Sequence, residues 1–167
     1  MMAGERQAAA LARYAITAGT GAGHPRPVPH RPVVSRLRLG PQSSAVPRAR
    51  LHTKVILKNW NLAHVADDAE MIVSELTTNA LKASWSLIDP QAIVLHLLAD
   101  HERLTTQVWD ALPVAPNPAP HAIDAETGRG LEIVSMIGDR WGSYRPDTGG
   151  KIVWAAIELT TPCETGR

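Results

Sequence analysis

The chain predicts an α+β domain in which a mostly antiparallel sheet carries its helices on one face. Three observations lead to that expectation. The apolar pattern reads strand, helix, helix, strand, strand, long loop, helix, strand, strand. Two pairs of strand-like runs are joined by short polar turns, "HE" at residues 101–102 and "DTGG" at 147–150, so each pair reads as an antiparallel hairpin. The repeated strand–helix–strand alternation that a doubly wound parallel sheet needs is missing.

Taken in order, residues 19–32 ("GTGAGHPRPVPHRP") deny the backbone regular hydrogen bonding, so residues 1–32 read as a disordered arm. "VVSRLRLG" alternates well enough for a first strand. "SSAVPRARLHTKVILKNWNL" then places Val46, Arg50, Leu51, Val55 and Leu57 at helical spacings, with Ser43 or Ser44 as N-cap. A second helix should start at Ala66 or Asp67 and end near Trp85, with Asp67, Asp68 and Glu70 in its first turn, where acidic groups suit the helix dipole. "QAIVLHLLAD" and "RLTTQVWD" are rich in strand formers. The loop at residues 111–127 holds Pro113, Pro116, Pro118 and Pro120, which exclude a regular element. Leu131, Val134 and Ile137 restore helical spacing in "GLEIVSMIGDRW". "WGSYRP" and "GKIVWAAIEL" close the fold as strands, giving a domain at residues 33–160 and a tail at 161–167.

Composition narrows the function classes. A chain of 167 residues, 44% hydrophobic and 20% charged, suits one globular domain with a proper core. Lys plus Arg number 17 against 16 for Asp plus Glu, so no charge excess advertises direct nucleic-acid or membrane binding. The single cysteine, Cys163, excludes an internal disulfide framework and points to a reducing, cytoplasmic setting. The seven histidines show no ligand-like spacing, and no apolar run reaches the roughly 18 residues of a membrane span.

Three pieces can carry chemistry. In "IVSELTTNALKAS" (residues 72–84), Glu75 and Asn79 lie four apart and so on one helix face, bordering the stripe of Ala69, Ile72, Val73, Leu76 and Ala80. A carboxylate and an amide there can orient a nucleophile and hold a hydrated magnesium ion; alone, the spacing is also that of many solvated helix flanks. Asp110 ends "TTQVWD" where a strand enters the loop, a place for a ligand-binding carboxylate or for an ordinary turn aspartate. In "GRGLEIV", Gly128 and Gly130 precede a helix whose free N–H groups suit an anion. "GGKI" at residues 149–152 lacks the spacing and the helix of a Walker-type P-loop.

Together and in this order the pieces resemble the GHKL, or Bergerat-fold, ATP-binding domain, a two-layer α/β sandwich. The closest resemblance is to short actinobacterial anti-sigma-factor kinase-like proteins. "SELTTNALKAS" is similar to the N box, "VWDALPVAP" to a degenerate G1 box, "GRGLEIV" to the G2 box and "GGKIVWAAIEL" to the closing strand, over about residues 37–159. The resemblance implies Glu75 as general base and Asn79 as holder of Mg2+ against ATP. It implies Asp110 as receptor of the adenine amino group. Gly128, Arg129, Gly130 and Leu131 are implied at the phosphates and Lys82 among the nucleotide-binding residues, with residues 111–127 as the ATP lid. Two departures stand out: the G1 glycines are missing from residues 110–114, and Ile152 stands where a threonine often assists adenine, with Lys151 beside it.

The resemblance implies an ATP-dependent serine/threonine kinase that phosphorylates an anti-anti-sigma antagonist of the STAS type and controls a sigma factor. The departures support an alternative, a non-catalytic ATP-binding interaction module. A sensor histidine kinase fragment is disfavoured, because a Gly/Pro arm occupies the place of its phosphoacceptor helices. Homodimerisation is implied by the resemblance alone.

Overall fold

The computed structural model describes residues 32–114 and 129–159. The expected arm, most of the long loop, the tail and Cys163 lie outside the described residues. Five strands form one sheet: β1 (Val33–Leu39), β2 (Ile93–Ala99), β3 (Arg103–Asp110), β4 (Arg140–Tyr144) and β5 (Lys151–Glu158). Their order is β1-β2-β3-β5-β4, and every pairing is antiparallel. Helices α1 (Ala45–Asn59), α2 (Ala66–Trp85) and α3 (Arg129–Ile137) pack on one face, as the sequence predicts.

Period-two alternation decides what each strand contributes to that face. Leu39, Ile93, Leu95, Leu97, Leu104, Val108, Val153, Ala155 and Ile157 point into a single core shared with the helices. β1, at the sheet edge, turns Val34, Arg36 and Arg38 outward. α2 seats Ala69, Ile72, Val73, Leu76 and Ala80 in the core, the stripe its sequence announces.

Helix α1 differs from its sequence pattern. Its buried side is Ala45, Ala49, Thr53 and Leu57, whereas Leu51 and Val55 face solvent. Small residues at i and i+4 let the helix approach its neighbours closely, and Thr53 Oγ1 donates to the Ala49 carbonyl (2.9 Å), so a buried hydroxyl costs little. Ser44 occupies the N-cap position, but its side chain makes no capping bond and its backbone is already helical. The C-terminus is better fixed. Asn61 takes φ 59°, and the Leu62 N–H donates to the Leu57 carbonyl at 2.8 Å, a left-handed stop of the Schellman kind.

The face opposite the helices also contains buried side chains. Leu98 and Ile152 form a small cluster with Trp109 and Tyr144. His96 lies there too, opposite Arg36 in the β1–β2 register, and its Nδ1 is buried without a hydrogen-bond partner among the described residues. Burial first, and the Arg36 guanidinium second, lower its pKa from 6.5 to about 4. Burial lowers His52 in the same direction.

A histidine held neutral in the fold but free to charge when unfolded weakens the fold on acidification. The unfolded chain binds the proton first, so stability is lost as pH falls from about 6.5 towards 4, by at most about 3 kcal/mol for His96. Urea unfolding across that range should show the loss, and His96→Leu should remove most of it. A variant with the full wild-type acid dependence would contradict this.

Candidate functional site

The rotation of α2 about its axis places the first two candidates. With Ile72, Val73 and Leu76 committed to the core, Glu75 and Asn79 emerge on a half-buried flank, one turn apart. Gly130, in the first turn of α3, faces them. A Cβ built on Gly130 would stand 2.5 Å from Glu75 Oε2 and 3.6 Å from Asn79 Nδ2. The residue must therefore be glycine for the carboxylate to keep its position. Glu75 takes part in no hydrogen bond or ion pair among the described residues. An unengaged carboxylate and an amide thus border a helix start whose first N–H groups lack partners within the helix.

Of the other residues expected at this end, Leu131 is half-buried and packs on the core, which seats the first turn of α3. Lys82 is exposed near the end of α2, three residues past Asn79. Gly128 lies outside the described residues, as does the side chain of Arg129. The sequence-derived pieces on α2 and α3 therefore meet in space, through Gly130.

Asp110 ends β3 on the helix-facing side of the sheet, with its side chain 1% exposed. It forms no bond to Glu75 or Asn79. Its partner is Lys151, the first residue of β5 and its direct neighbour in the register, with Nζ donating to Oδ1 at 2.8 Å. The Leu112 N–H donates to the same oxygen (3.0 Å), and Lys151 Nζ also donates to the Leu112 carbonyl (3.2 Å). Burial pushes the Asp110 carboxyl above its ordinary range, and the hydrogen bond and charge of Lys151 oppose that shift. The ammonium is what lets a carboxylate stay ionised here.

Sequence reading put Ile152 where a threonine often assists adenine, with Lys151 beside it, and the structure turns Ile152 away from Asp110. Ile152 points to the opposite face, into the cluster with Trp109 and Tyr144, because strand neighbours alternate. The residue that meets Asp110 is Lys151. The non-local β3–β5 register brings them together, since Asp110 and Lys151 are 41 positions apart in the chain.

Gly150 makes the pairing possible. Its φ is +73°, and a Cβ there would collide with the Asp110 carbonyl oxygen and stand 2.8 Å from Trp109 Nε1. The Trp109 indole N–H in turn donates to the Gly149 carbonyl (2.9 Å), tying the β4–β5 turn to the end of β3.

This fold, with a glycine-cradled carboxylate at one end and a buried aspartate at the other, defines the class. The family model for the histidine kinase-like ATPase domain matches residues 41–157, more than half of the chain. The chain therefore belongs to the histidine kinase-like ATPase family, and ATP binding comes with that membership. A search of the curated proteins finds no match.

Removing one partner of a buried ion pair leaves a charge without compensation, at a typical cost of about 3–5 kcal/mol. Lys151→Met should lower the unfolding free energy by about 3 kcal/mol. Adding Asp110→Leu should restore most of it, since an apolar pair of similar volume replaces the ions. Denaturant titration of the single and double variants reads both values.

Proposed function

We propose that the protein is an ATP-dependent serine/threonine protein kinase of the anti-sigma-factor type. It phosphorylates an anti-anti-sigma antagonist of the STAS type and thereby controls a sigma factor. The observation that carries this reading is Glu75: a half-buried carboxylate with no partner among the described residues, held beside the N-terminus of α3. A structural carboxylate in such a place would be expected to pair. One left unengaged at an anion-binding helix start is suited to taking a proton.

Phosphoryl transfer asks mainly for positioning and charge stabilisation. The N–H groups of the first turn of α3 hold phosphate oxygens, and Lys82 adds a cation near them. Among the described residues no group of three or more acidic, histidine or cysteine side chains could cage a metal. A Mg2+ ion would therefore be held by the Asn79 amide oxygen together with phosphate oxygens and water, and it would neutralise the phosphate charge. The antagonist's serine or threonine oxygen bonds to the γ-phosphorus while Glu75 takes its proton. The bond to the bridging oxygen breaks, and ADP departs.

Two observations favour a second reading, a non-catalytic ATP-binding module. The Asp110 carboxylate is already engaged by Lys151, and the G1 glycines are absent. Nucleotide would then set conformation for protein contacts without transfer.

Purified protein incubated with ATP, Mg2+ and its cognate antagonist separates the two. Phosphoserine or phosphothreonine on the antagonist supports the kinase, whereas ATP binding with no transfer moves the protein to the second reading. Glu75→Gln should lower transfer at least about 100-fold and leave ATP affinity within about threefold, because a general base acts on the chemical step. Gly130→Ala should push the Glu75 carboxylate aside and cut transfer by about 100-fold. Its melting temperature should stay near wild type, since the atom that must move is the end of a flexible side chain.

A further inference from the structure

The hydrogen bonds of the Asp110–Lys151 pair are distributed unevenly. Both bonds that Asp110 accepts, from Lys151 Nζ and the Leu112 N–H, fall on Oδ1. A carboxylate has two oxygens, and Oδ2 accepts nothing among the described residues. Lys151 carries three N–H groups, of which two go to Asp110 Oδ1 and the Leu112 carbonyl. Among the described residues, one ammonium donor and one carboxylate oxygen of this directly bonded pair are therefore left without a partner. They lie on the helix-facing side of the sheet, where Glu75 and Asn79 also lie.

We propose that Lys151 is a second base-reading residue of the nucleotide site, acting jointly with Asp110. Asp110 Oδ2 accepts from the 6-amino group of adenine, and Lys151 Nζ donates to the ring nitrogen N1. This rests on reading the site as one that binds ATP with its base at Asp110. The edge of adenine presents an amino donor beside a ring acceptor, which is the complement of the pair. Guanine in the same seat would set its O6 acceptor against the carboxylate and its N1–H donor against the ammonium. Both contacts would be repulsive.

Two features of the geometry favour recognition over a purely structural ion pair. The bonds through Leu112 hold both side chains in one arrangement before any ligand arrives, and preorganised donors need no rearrangement on binding. The ammonium also cancels the charge of a carboxylate that is 1% exposed, so an uncharged base meets a neutral subsite.

The probe is 1-deaza-ATP, in which C–H replaces N1 and every other recognition group is kept. Wild-type protein should bind it about tenfold more weakly than ATP by calorimetry, the loss expected for one charge-assisted hydrogen bond. Lys151→Met, if circular dichroism shows it folded, should bind the two nucleotides equally and more weakly than wild type binds ATP. Equal wild-type affinity for ATP and 1-deaza-ATP overturns the role of Lys151 and leaves the ATP site standing. Wild type that binds neither overturns both. A folded Lys151→Met that still discriminates against the deaza analogue also overturns it. Should that variant fail to fold, the wild-type comparison decides alone.

Discussion

The seating of α2 on the sheet is the constraint on which the rest depends. Its 20 residues place Ile72, Val73 and Leu76 at 1% exposure or less, and such side chains typically cost about 2–5 kcal/mol each when truncated to alanine. Glu75 and Asn79 have no comparable hold on the helix. At 100° per residue, their direction is imposed by the apolar stripe beside them. A carboxylate that forms no bond among the described residues therefore has a defined place, because its neighbours are committed elsewhere. Small residues complete the arrangement: Ala69 and Ala80 bring α2 close to the sheet, and Gly130 brings α3 close to α2.

The sheet end of the site is built on a different principle. Nothing apolar fixes Asp110 and Lys151; each orients the other, and Leu112 braces both. Burying two charges costs desolvation that their attraction only partly returns, so an apolar pair would serve stability at least as well. What an apolar pair lacks is a donor and an acceptor of opposite kind held together. An arrangement that stability alone does not require is most simply understood through what it can recognise.

Much of the fold was legible because it rests on local patterns. The stripe of α2 and the "DTGG" hairpin each signal their structure within a few residues. Helix α1 was legible in extent and misleading in its facing. Its larger apolar residues suggested a stripe through Leu51 and Val55, while the core accepted the small side instead. Within the site, Glu75, Asn79 and Gly130 could be ordered along the chain, but no residue pattern states that a Cβ at position 130 would meet a carboxylate at 75. The Asp110–Lys151 pair was less legible still. It depends on β5 inserting between β3 and β4, a non-local pairing, and on a one-residue register that sends Lys151 to one face and Ile152 to the other.

Each end of the site depends on one glycine, and the two glycines are not equivalent. At Gly130 the obstacle to a side chain is the terminal oxygen of Glu75, which can swing away on single bonds at little cost in stability. At Gly150 the obstacle is the backbone of Asp110, held in the β3–β5 ladder, and φ is already in the region that side chains disfavour. A change at the first position moves a functional group within an intact fold. A change at the second strains the sheet where the aspartate is anchored, so that the ladder and the ion pair are disturbed together. The helix end of the site can thus shift while the fold persists, whereas the Asp110 end is tied to the sheet itself.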